Sequence, residues 1–354
     1  MKILAINPGG VSTKMALYDG AEAAWTVDIQ HTEEDLKGFH TVLEQLDFRL
    51  GLIRGKLSEM GTAASDLDAA VGRGGLFKPL RAGAYRVDEA MLDDIRQGRT
   101  KADHPSNLGA LLAHAVVSEA GKPAFIVDPV SVDEFEEESR LSGLPEIERL
   151  SLVHALNVRA TAYKAAARMG KTLPELNLVV AHLGSGFSIA ALRKGKIVDV
   201  NNANDGGPFS PQRTGTLPVT QLVKLAFSGK YPDARALNAV LTKKGGLTAY
   251  LGTHDLREVE RRIDEGDATA SLVFRAMTRQ ICKEVGAMAA VLDGRVDAVL
   301  VTGGMAYSTR LTGLLSERLS WIAPVTVLPG ENELESLALG TLRVLEGREE
   351  ACRY

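Results

Sequence analysis

Short apolar runs alternate with longer amphipathic segments along this chain of 354 residues. The apolar runs are rich in Val, Ile and Ala and mostly lack strict alternation, which is typical of strands buried in the centre of a sheet. They predict strands at 2–8, 15–19, 68–73, 124–130, 177–184, 188–192, 197–201, 297–304 and 324–330. The amphipathic segments predict helices at 88–99, 106–120, 150–169, 219–227, 266–292, 308–319 and 332–346. Strands that alternate with helices indicate an α/β fold.

The length of the chain and the grouping of its elements suggest two domains. An acidic stretch at 133–138 follows the first group; it is interpreted as a solvated helix or loop face or, alternatively, as a functional patch. We expect a first domain over 1–150 and a second over 151–330. The last helix is expected to cross back, so that 331–354 joins the first domain.

The two halves open with the same strand–turn–strand design, 175 positions apart. Each copy, at 2–20 and 178–195, leads an apolar strand into a small Gly-rich turn and then into a second apolar strand. At this offset the matched pairs are Asn7 with His182, Gly9 with Gly184, Ala16 with Ala191, Leu17 with Leu192 and Gly20 with Gly195. Two related turns, one in each half, suit a two-lobed clamp around one polyphosphate.

Charge and composition limit the classes of partner. The net charge is −4 and no basic run occurs, so a nucleic-acid partner is not expected. Cys282 and Cys352, the only cysteines, have no metal-site or disulfide spacing, and a reducing cytoplasm is the expected compartment. The first apolar stretch is too short for a signal peptide, and no run of about 18 apolar residues predicts a membrane span.

The Gly-rich turns are candidate phosphate sites, because backbone N–H groups in a tight turn point into one concavity and bind anions. Glycine lets a ligand approach the main chain closely. The candidate phosphate-binding residues are Asn7, Gly9, Ser12 and Lys14 in the first turn and His182, Gly184, Ser185 and Gly186 in the second.

A third turn follows the strand at 297–304. Gly303 and Gly304 precede a helix whose N-terminus would face a phosphate or a nucleotide sugar. The chain has neither GxxxxGK[ST] nor a complete GxGxxG, which argues against a P-loop and against a Rossmann dinucleotide site.

Segments spread over nearly the whole chain resemble the acetate/propionate/butyrate kinase family, the acetokinase branch of the actin, hexokinase and heat-shock ATPase superfamily. In family order they are INPGGVSTK, VGRGGLFKP, HPSNLGA, FIVDPV, LVHALN, AHLGSGFS, DGGPFSPQRTGTLP, THDLRE, VTGGMAYS and PGENELESLALG. FSPQRTGTLP is the most discriminating segment, and the butyrate kinase branch fits best.

The resemblance implies two duplicated ribonuclease-H-like (actin-like ATPase) domains with a central cleft that binds ATP and an acid. The first domain would hold the acid and phosphate side and the second the nucleotide. The implied reaction is reversible in-line transfer of a phosphoryl group from ATP to a short-chain carboxylate, which gives an acyl phosphate and ADP with Mg²⁺ as cofactor. A homo-oligomer, a dimer or larger, is also implied.

A carboxylate nucleophile is already ionised at pH 7, so the reaction needs positioning and positive charge more than a general base. Arg213 lies in a Pro/Gly-rich loop without an acid close in sequence. It matches the guanidinium that stabilises the transferring phosphoryl oxygens, or else is a surface loop arginine. Arg73 resembles the residue that fixes the acid's carboxylate, with an ion pair at a strand end as the alternative.

Two histidines and an aspartate complete the catalytic set. His182 would hydrogen-bond a γ-phosphoryl oxygen, and His154 matches a second family histidine that faces the acid; either alternatively is a satisfied core residue. Asp128 ends a strand at the sheet edge where open α/β folds bind ligands. It would orient Arg213 or join the metal shell, unless it only caps the next segment.

The resemblance also assigns a metal position. Glu333, in the first turn of the last helix, matches a Mg²⁺ role with Asn7 beside it, and Glu331 is the fallback. Acidic residues favour helix N-termini for dipole reasons alone, so a purely structural role stays open. Mg²⁺ usually retains waters and uses one or two carboxylates.

The adenosine pocket is matched by Asp255, Leu256 and Arg257, and Gly303 with Gly304 would complete it. The alternative for the first three residues is an ordinary helix N-terminus capped by Thr or Asp.

Val153 and Pro211 match positions that line the acyl pocket. Acetate kinases usually carry a bulkier aromatic residue where Val153 stands. A smaller side chain makes room for methylene groups, each worth about 0.8 kcal/mol when buried. An acid longer than acetate is therefore expected, either butyrate or a branched C4–C5 acid.

The first turn departs from the family pattern at Gly10 and Val11, where relatives tend to carry hydroxyl groups. The backbone amides remain, so an anion nest is still expected, while the affinity for Mg²⁺ or phosphate is in question. A nucleotide-binding regulator or ATPase and a hydroxyl-substrate kinase are the alternative functions on this fold. The latter would use Asp128 as a base and would leave Arg73 without a role.

Overall fold

A computed structural model describes residues 1–354, which form two compact units. The first unit contains Met1–Asp133 and Asn332–Tyr354, and the second contains Glu134–Glu331. The first boundary lies before the expected position near 150, and the second lies beside the expected one.

The earlier boundary has a physical cause in the acidic stretch. The carboxylate of Glu134 accepts a hydrogen bond from the Ile197 amide at 3.0 Å, and the Glu136 amide donates to the Val198 carbonyl at 3.2 Å. The stretch is therefore attached to a strand of the second unit, which a count of charges alone did not indicate.

The first unit is built on a six-stranded sheet. Its strands are β1 (Lys2–Pro8), β2 (Ser12–Asp19), β3 (Glu22–Gln30), β4 (Ala69–Arg73), β5 (Ala84–Arg86) and β6 (Ala124–Val127). Its helices before the boundary are α1 (Glu33–Leu36), α2 (Leu46–Glu59), α3 (Glu89–Arg96) and α4 (Leu108–Val117). The strand order is β3-β2-β1-β4-β6-β5, with β1, β4 and β6 parallel.

Two glycines set the distance between this sheet and α4. A Cβ atom at Gly72 would lie 1.9 Å from the Gly109 carbonyl oxygen, so helix and strand pack backbone to backbone. This close approach fixes the carboxyl end of β4, whose last residue is Arg73.

The second unit repeats the plan on a five-stranded sheet. Its strands are β7 (Leu178–Leu183), β8 (Phe187–Arg193), β9 (Lys196–Val200), β10 (Ala298–Gly303) and β11 (Val325–Pro329). Its helices are α5 (Glu137–Arg140), α6 (Ala155–Arg168), α7 (Val219–Ala226), α8 (Ala234–Lys243), α9 (Gly246–Leu251), α10 (Leu256–Asp264), α11 (Ala268–Val291) and α12 (Thr309–Leu319). The last helix, α13 (Glu333–Leu345), belongs to the first unit and packs on β1, β4 and β6.

The order β9-β8-β7-β10-β11 matches β3-β2-β1-β4-β6 strand for strand, as the duplication predicts. The offset of 175 holds for the first strand of each copy but not for the second. Pro8 pairs with Thr13 across the first turn, whereas Leu183 pairs with Phe187 across the second, so the second turn is one residue shorter. Equivalent residues after the turns therefore lie 174 positions apart, and the bulges at Leu17/Tyr18 and Ala191/Leu192 follow that spacing.

Sequence patterns missed some elements. Strand β3 lies at the sheet edge and has no fully buried position, so it lacks an apolar run. Helix α2 carries two glycines and several cationic residues, which weaken the helical signal. None of the helices is both long and apolar enough to cross a bilayer.

Candidate active site

In the first unit, three of the predicted catalytic or metal-binding residues lie at the carboxyl ends of parallel strands. Asn7 is near the end of β1, Arg73 ends β4 and Asp128 follows β6. The parallel register brings these positions side by side along one sheet edge. Open α/β sheets bind ligands at this edge.

Glu333, at the start of α13, joins two of these residues. One carboxylate oxygen accepts a hydrogen bond from the Asn7 amide nitrogen, and the other forms an ion pair with Nη1 of Arg73. The side chains of Arg73 and Glu333 are 24% and 23% exposed, so the pair remains open to solvent. A guanidinium has five N–H donors. The ion pair thus leaves Arg73 able to bind a second carboxylate.

The predicted Mg²⁺ ligands do not form a cage of protein side chains. No group of three or more His, Cys, Asp or Glu side chains in the chain is arranged to hold a metal ion. The carboxylate of Glu333 and the amide oxygen of Asn7 are donors of the kind that Mg²⁺ prefers. This donor set fits an ion held mostly by substrate phosphates and water.

Asp128 has a structural partner of its own. Its φ is 39°, in the left-handed region, and its side chain is buried. Its carboxylate accepts from the Gly83 amide at 2.7 Å, and its own amide donates to the Gly83 carbonyl at 2.9 Å. Asp128 thus ties the loop before β5 to the end of β6, a structural contact that differs from the helix cap considered as the alternative.

His104 is a candidate that the sequence analysis did not single out, although it begins the HPSNLGA segment. Its Nδ1 accepts from the Ser106 amide at 3.2 Å and lies 2.7 Å from the Ser106 hydroxyl. Burial first, and then the positive charge of Arg73, lowers the pKa of His104. A neutral imidazole therefore lies within electrostatic range of Arg73.

The first Gly-rich turn is closed by its own backbone. The Gly9 amide donates to the Ser12 carbonyl at 2.7 Å, and that carbonyl also accepts from Nη1 of Arg49 at 3.2 Å. Lys14 lies directly opposite Asn7 in the β1–β2 pair, so both side chains leave the sheet on one face. The four predicted residues of this turn are thus brought together.

In the second unit, hydrogen bonds fix the orientation of His182. Asn157 donates through its amide nitrogen to the carbonyls of Gly330 at 3.1 Å and Glu331 at 3.2 Å. Its amide oxygen lies 2.7 Å from Nδ1 of His182 and accepts a hydrogen bond from the Nδ1–H group. Nε2 of His182 then points to the Glu331 carboxylate, 3.6 Å away. Glu331, the fallback metal ligand, is therefore a neighbour of His182.

His154 stacks on His182, with ring centroids 4.1 Å apart and planes at 17°. Its Nδ1 lies 2.8 Å from the Ser188 hydroxyl, and its backbone amide donates to the same oxygen at 3.3 Å. Val153, the preceding residue, is buried. The two predicted histidines thus form one cluster.

Arg213 lies against the second Gly-rich turn. A Cβ atom at Gly186 would be 2.2 Å from its guanidinium, so a side chain at this position would displace the Arg213 head group. The Arg213 guanidinium donates to the Ala203 carbonyl at 2.8 Å, and its backbone amide donates to Ser210 Oγ at 3.2 Å. Burial lowers the pKa of Arg213, and no carboxylate pairs with it. An arginine keeps its proton even so, which leaves an uncompensated cation beside the turn.

A cavity of about 810 Å³ in the second unit adjoins the same turn. Its lining residues are Gly184, Ser185, Pro211, His254, Asp255, Leu256, Arg257, Glu260, Gly304, Met305, Tyr307, Ser308 and Glu331. The predicted phosphate turn and the predicted adenosine residues thus share one cavity. Pro211 lines it, whereas Val153, its predicted partner in the acyl pocket, does not.

Asp255 and Arg257 form a salt bridge at one wall of this cavity. The Asp255 carboxylate caps α10 by accepting from the Arg257 amide at 2.9 Å, and it pairs with the Arg257 guanidinium at 2.7 Å. The hydrogen bonds from Arg257 lower the pKa of Asp255. The cap considered as an alternative is therefore present, and both residues also line the cavity.

Gly303 ends β10 and exchanges two backbone hydrogen bonds with Gly330, at 3.2 and 3.1 Å. Its φ is 90°, and a Cβ atom there would lie 2.4 Å from the Leu183 carbonyl oxygen. Gly303 therefore allows the end of β10 to pack closely against the end of β7, while Gly304 lines the cavity.

Sequence comparisons identify relatives of this chain. Residues 153–311 match the sequence model of the acetokinase family. The chain is 48% identical to the probable butyrate kinase 2 of Caldanaerobacter subterraneus, with 98% of each chain covered. It is 44% identical to butyrate kinase 2 of Clostridium acetobutylicum, with 100% of this chain and 99% of that one covered.

Solved structures share the fold at low sequence identity. The acetate kinase of Porphyromonas gingivalis superimposes with a TM-score of 0.80 at 20% identity, over 97% of this chain and 99% of that one. The acetate kinase of Entamoeba histolytica gives a TM-score of 0.77 at 14% identity, over 96% and 99%. Because the similarity to the sequence relatives extends over essentially the whole chain, this protein belongs to the acetokinase family.

Proposed function

We propose that this protein transfers the γ-phosphoryl group of ATP to the carboxylate of a short-chain acid, reversibly, to give an acyl phosphate and ADP. The observation that carries the proposal is the cavity in the second unit, which joins a phosphate-type turn at Gly184 and Ser185 to the Asp255–Arg257 bridge. Its volume of about 810 Å³ is within the usual range for sites that enclose a small molecule. Its polar groups suit the phosphates and sugar of a nucleotide.

In the proposed step, a carboxylate oxygen of the acid forms a bond to the γ-phosphorus while the bond from that phosphorus to the ADP oxygen breaks. No proton has to be moved, because the attacking carboxylate is ionised and ADP leaves as an anion. Catalysis then depends on alignment and on positive charge at the phosphoryl oxygens. Arg213 would supply that charge, because its guanidinium has no carboxylate partner and borders the turn at Gly186.

His182 would contribute a directed hydrogen bond. Asn157 holds its Nδ1, so Nε2 is the atom available to a phosphoryl oxygen when the ring is protonated. Stacking on His154 restrains the plane of the ring. Arg73 would bind the acid's carboxylate through donors that its ion pair with Glu333 does not use.

Mg²⁺ would be held by the nucleotide phosphates with oxygen atoms from Glu333 and Asn7, directly or through water. When bound, it would neutralise phosphate charge and orient the phosphoryl group.

The full-length similarity to proteins named butyrate kinase supports an acid longer than acetate. Val153, which the family resemblance assigns to the acyl pocket, is a small and buried side chain. We propose butyrate or a branched C4–C5 acid as the preferred substrate.

The alternative of a hydroxyl-substrate kinase would need a general base. Asp128 was the candidate for that role, but its carboxylate accepts a hydrogen bond from the Gly83 amide and is buried. No observation favours a regulator without kinase activity.

A homo-oligomer is proposed on the family resemblance. Helix α7 buries none of its residues and exposes Val219 and Val223, and Phe227, which follows the helix, is exposed as well. Such exposed apolar side chains are consistent with a protein interface. Light scattering after gel filtration would give the mass. The cytoplasmic compartment stays a prediction.

The test is trapping of acyl phosphate as hydroxamate with ATP, Mg²⁺ and acids from acetate to hexanoate. We expect the largest kcat/KM at butyrate or a branched C4–C5 acid. A protein that binds ATP but gives no product with any of these acids would contradict the proposed function, and glycerol and hexoses would then be assayed.

A further inference from the structure

Arg49 is a charged residue to which the proposed mechanism assigns no role. It lies on α2 in the first unit and is completely buried, with 0% of its surface exposed. Its Nε and Nη2 donate to Gln45 Oε1 at 3.0 and 2.8 Å. Its Nη1 donates to the Ser12 carbonyl at 3.2 Å and to Thr13 Oγ1 at 2.9 Å. All of these acceptors are neutral.

A buried guanidinium without a carboxylate is costly, because both desolvation and the absence of a counter-charge disfavour it. Burial lowers the pKa of Arg49. An arginine nevertheless stays protonated in proteins, so the side chain carries a full positive charge inside the unit. A natural sequence that tolerates such a charge provides a counter-charge or uses the field.

The charge of Arg49 acts directly on the first Gly-rich turn. The Ser12 carbonyl that it binds is the same one that closes the turn through the Gly9 amide at 2.7 Å. In the low-dielectric interior the field of the guanidinium is much less attenuated than in water. The exposed tip of the turn, at Gly10 and Val11, therefore faces solvent with a positive charge behind it.

A second titratable group lies against the same cluster but adds no charge. Nε2 of His31 lies 2.9 Å from the Thr13 hydroxyl, and its Nδ1 is buried without a hydrogen-bond partner. Burial, followed by the charge of Arg49, lowers the pKa of His31 in spite of Asp35 and Asp28. Arg49 is therefore the one charge of this cluster at neutral pH.

We propose that Arg49 is a positioning residue for the phosphoryl group: it shapes the turn at residues 9–12 and gives that turn the positive field that attracts the group. This inference rests on the proposed kinase function, in which the transferred phosphoryl group is the anion bound at the first turn. The field of Arg49 compensates for Gly10 and Val11, which cannot donate hydrogen bonds through their side chains.

The sharpest test changes the charge and keeps the hydrogen bonds. Gln45→Glu places a carboxylate where Arg49 already donates twice, so the geometry is preserved and the field is cancelled. We expect kcat to fall roughly 5- to 30-fold, less than for loss of a direct contact to the reacting group. The affinity for MgATP should weaken by about 3- to 10-fold and that for MgADP by less than about twofold, because only the former carries the γ-phosphate. Resistance to urea should be equal or higher.

Gln97→Glu is the matched control, because Gln97 also accepts from an arginine, Arg99, but both side chains are exposed. It adds the same charge and should leave kcat and both affinities unchanged. A Gln45→Glu protein that behaves like this control would overturn the proposal.

Replacement of Arg49 itself provides a second, independent test of the proposal. Arg49→Lys keeps the charge and should retain most of kcat, whereas Arg49→Gln should lose at least as much as Gln45→Glu. Equal losses in both Arg49 variants, with Gln45→Glu unaffected, would show a merely structural role and would overturn the proposal. If the wild-type protein makes no acyl phosphate, the proposed function fails, while the MgATP and MgADP affinities of Gln45→Glu still decide the role of Arg49.

Discussion

The two Gly-rich turns descend from one design but carry their positive charge in different places. At the first turn, residues 9–12, the cation is Arg49, which is fully buried behind the turn and binds its backbone. At the second, residues 184–186, the cation is Arg213, which is only partly buried and lies over Gly186. Neither arginine has a carboxylate partner.

The difference shows two ways in which an arginine can serve such a turn: it can shape the backbone from beneath, or it can contact a ligand at the surface. A guanidinium beneath the main chain cannot touch a ligand, so it works through geometry and field. A guanidinium at the mouth of the turn can form hydrogen bonds with the ligand, which are stronger when charge-assisted. The two turns therefore share a scaffold and differ in whether the arginine lies beneath the main chain, as Arg49 does, or beside the turn, as Arg213 does.

The largest effect is expected from Arg213→Ala. Loss of the cation proposed to meet the transferring phosphoryl oxygens should lower kcat by at least about 10³-fold, the range for arginines in phosphoryl transfer. The affinity for ADP should change little. Steady-state acyl phosphate formation and calorimetric titration with MgADP measure both quantities. Near-normal turnover would remove Arg213 from its proposed role.

Gly186→Ala tests whether the place of Arg213 matters as well as its presence. The added methyl group would meet the guanidinium at 2.2 Å and displace it, since an arginine head group can move. A displacement of about 1 Å from productive geometry costs roughly 100-fold in rate. Gly313→Ala is the control, because Gly313 lies at an exposed position of α12 and no atom lies within 4 Å of a Cβ atom there. The comparison fails if both variants have the same kcat.

Asn157→Ala is expected to have a moderate effect. The variant loses the acceptor that fixes Nδ1 of His182 and the donors to Gly330 and Glu331. We expect kcat/KM to fall about 10-fold, equivalent to one hydrogen bond. Nitrogen chemical shifts of the imidazole should show a mixture of tautomers. A single tautomer with unchanged kinetics would contradict this role of Asn157.

The smallest effect concerns acid stability. The pKa of His31 is lowered by burial and by Arg49, with Asp35 and Asp28 opposing. The unfolded chain therefore binds a proton more readily below about pH 6.5, and the free energy of unfolding falls as the pH falls. His31→Gln should reduce this loss between about pH 7 and about pH 5.5, because the variant has no imidazole to protonate on unfolding. Urea unfolding of both proteins, with His40→Gln at an exposed site as control, measures the difference.

Buried strands were predictable from the sequence because burial on both faces of a sheet favours a continuous run of apolar residues. Strands β1, β7 and β10 are almost wholly buried and appear as continuous apolar runs. Strand β3 is partly exposed at every position and gave no such signal. The offset of 175 was accurate for the first strand of each copy. The turns differ in length by one residue, and two short Gly-rich sequences do not reveal such a difference.

The roles assigned to the candidate site residues stay predictions. Gly186 and Arg213 stand in two segments that the family resemblance marks, and the Arg213 guanidinium lies against Gly186. Arg49 was not predictable, because an arginine on a helix is normally interpreted as exposed and its burial depends on the tertiary fold. The contact of Glu333 with Arg73 likewise spans 260 positions, beyond the reach of local patterns.

The return of the chain to the first unit at Asn332 has a consequence for synthesis. Helix α13 packs on β1, β4 and β6, yet residues 134–331 are translated before it. The second unit is continuous and can fold as it emerges, whereas the first must wait with its sheet uncovered on that face. Its Asn7–Glu333–Arg73 contact forms only after the helix arrives, so the nascent chain acquires this part of the site last.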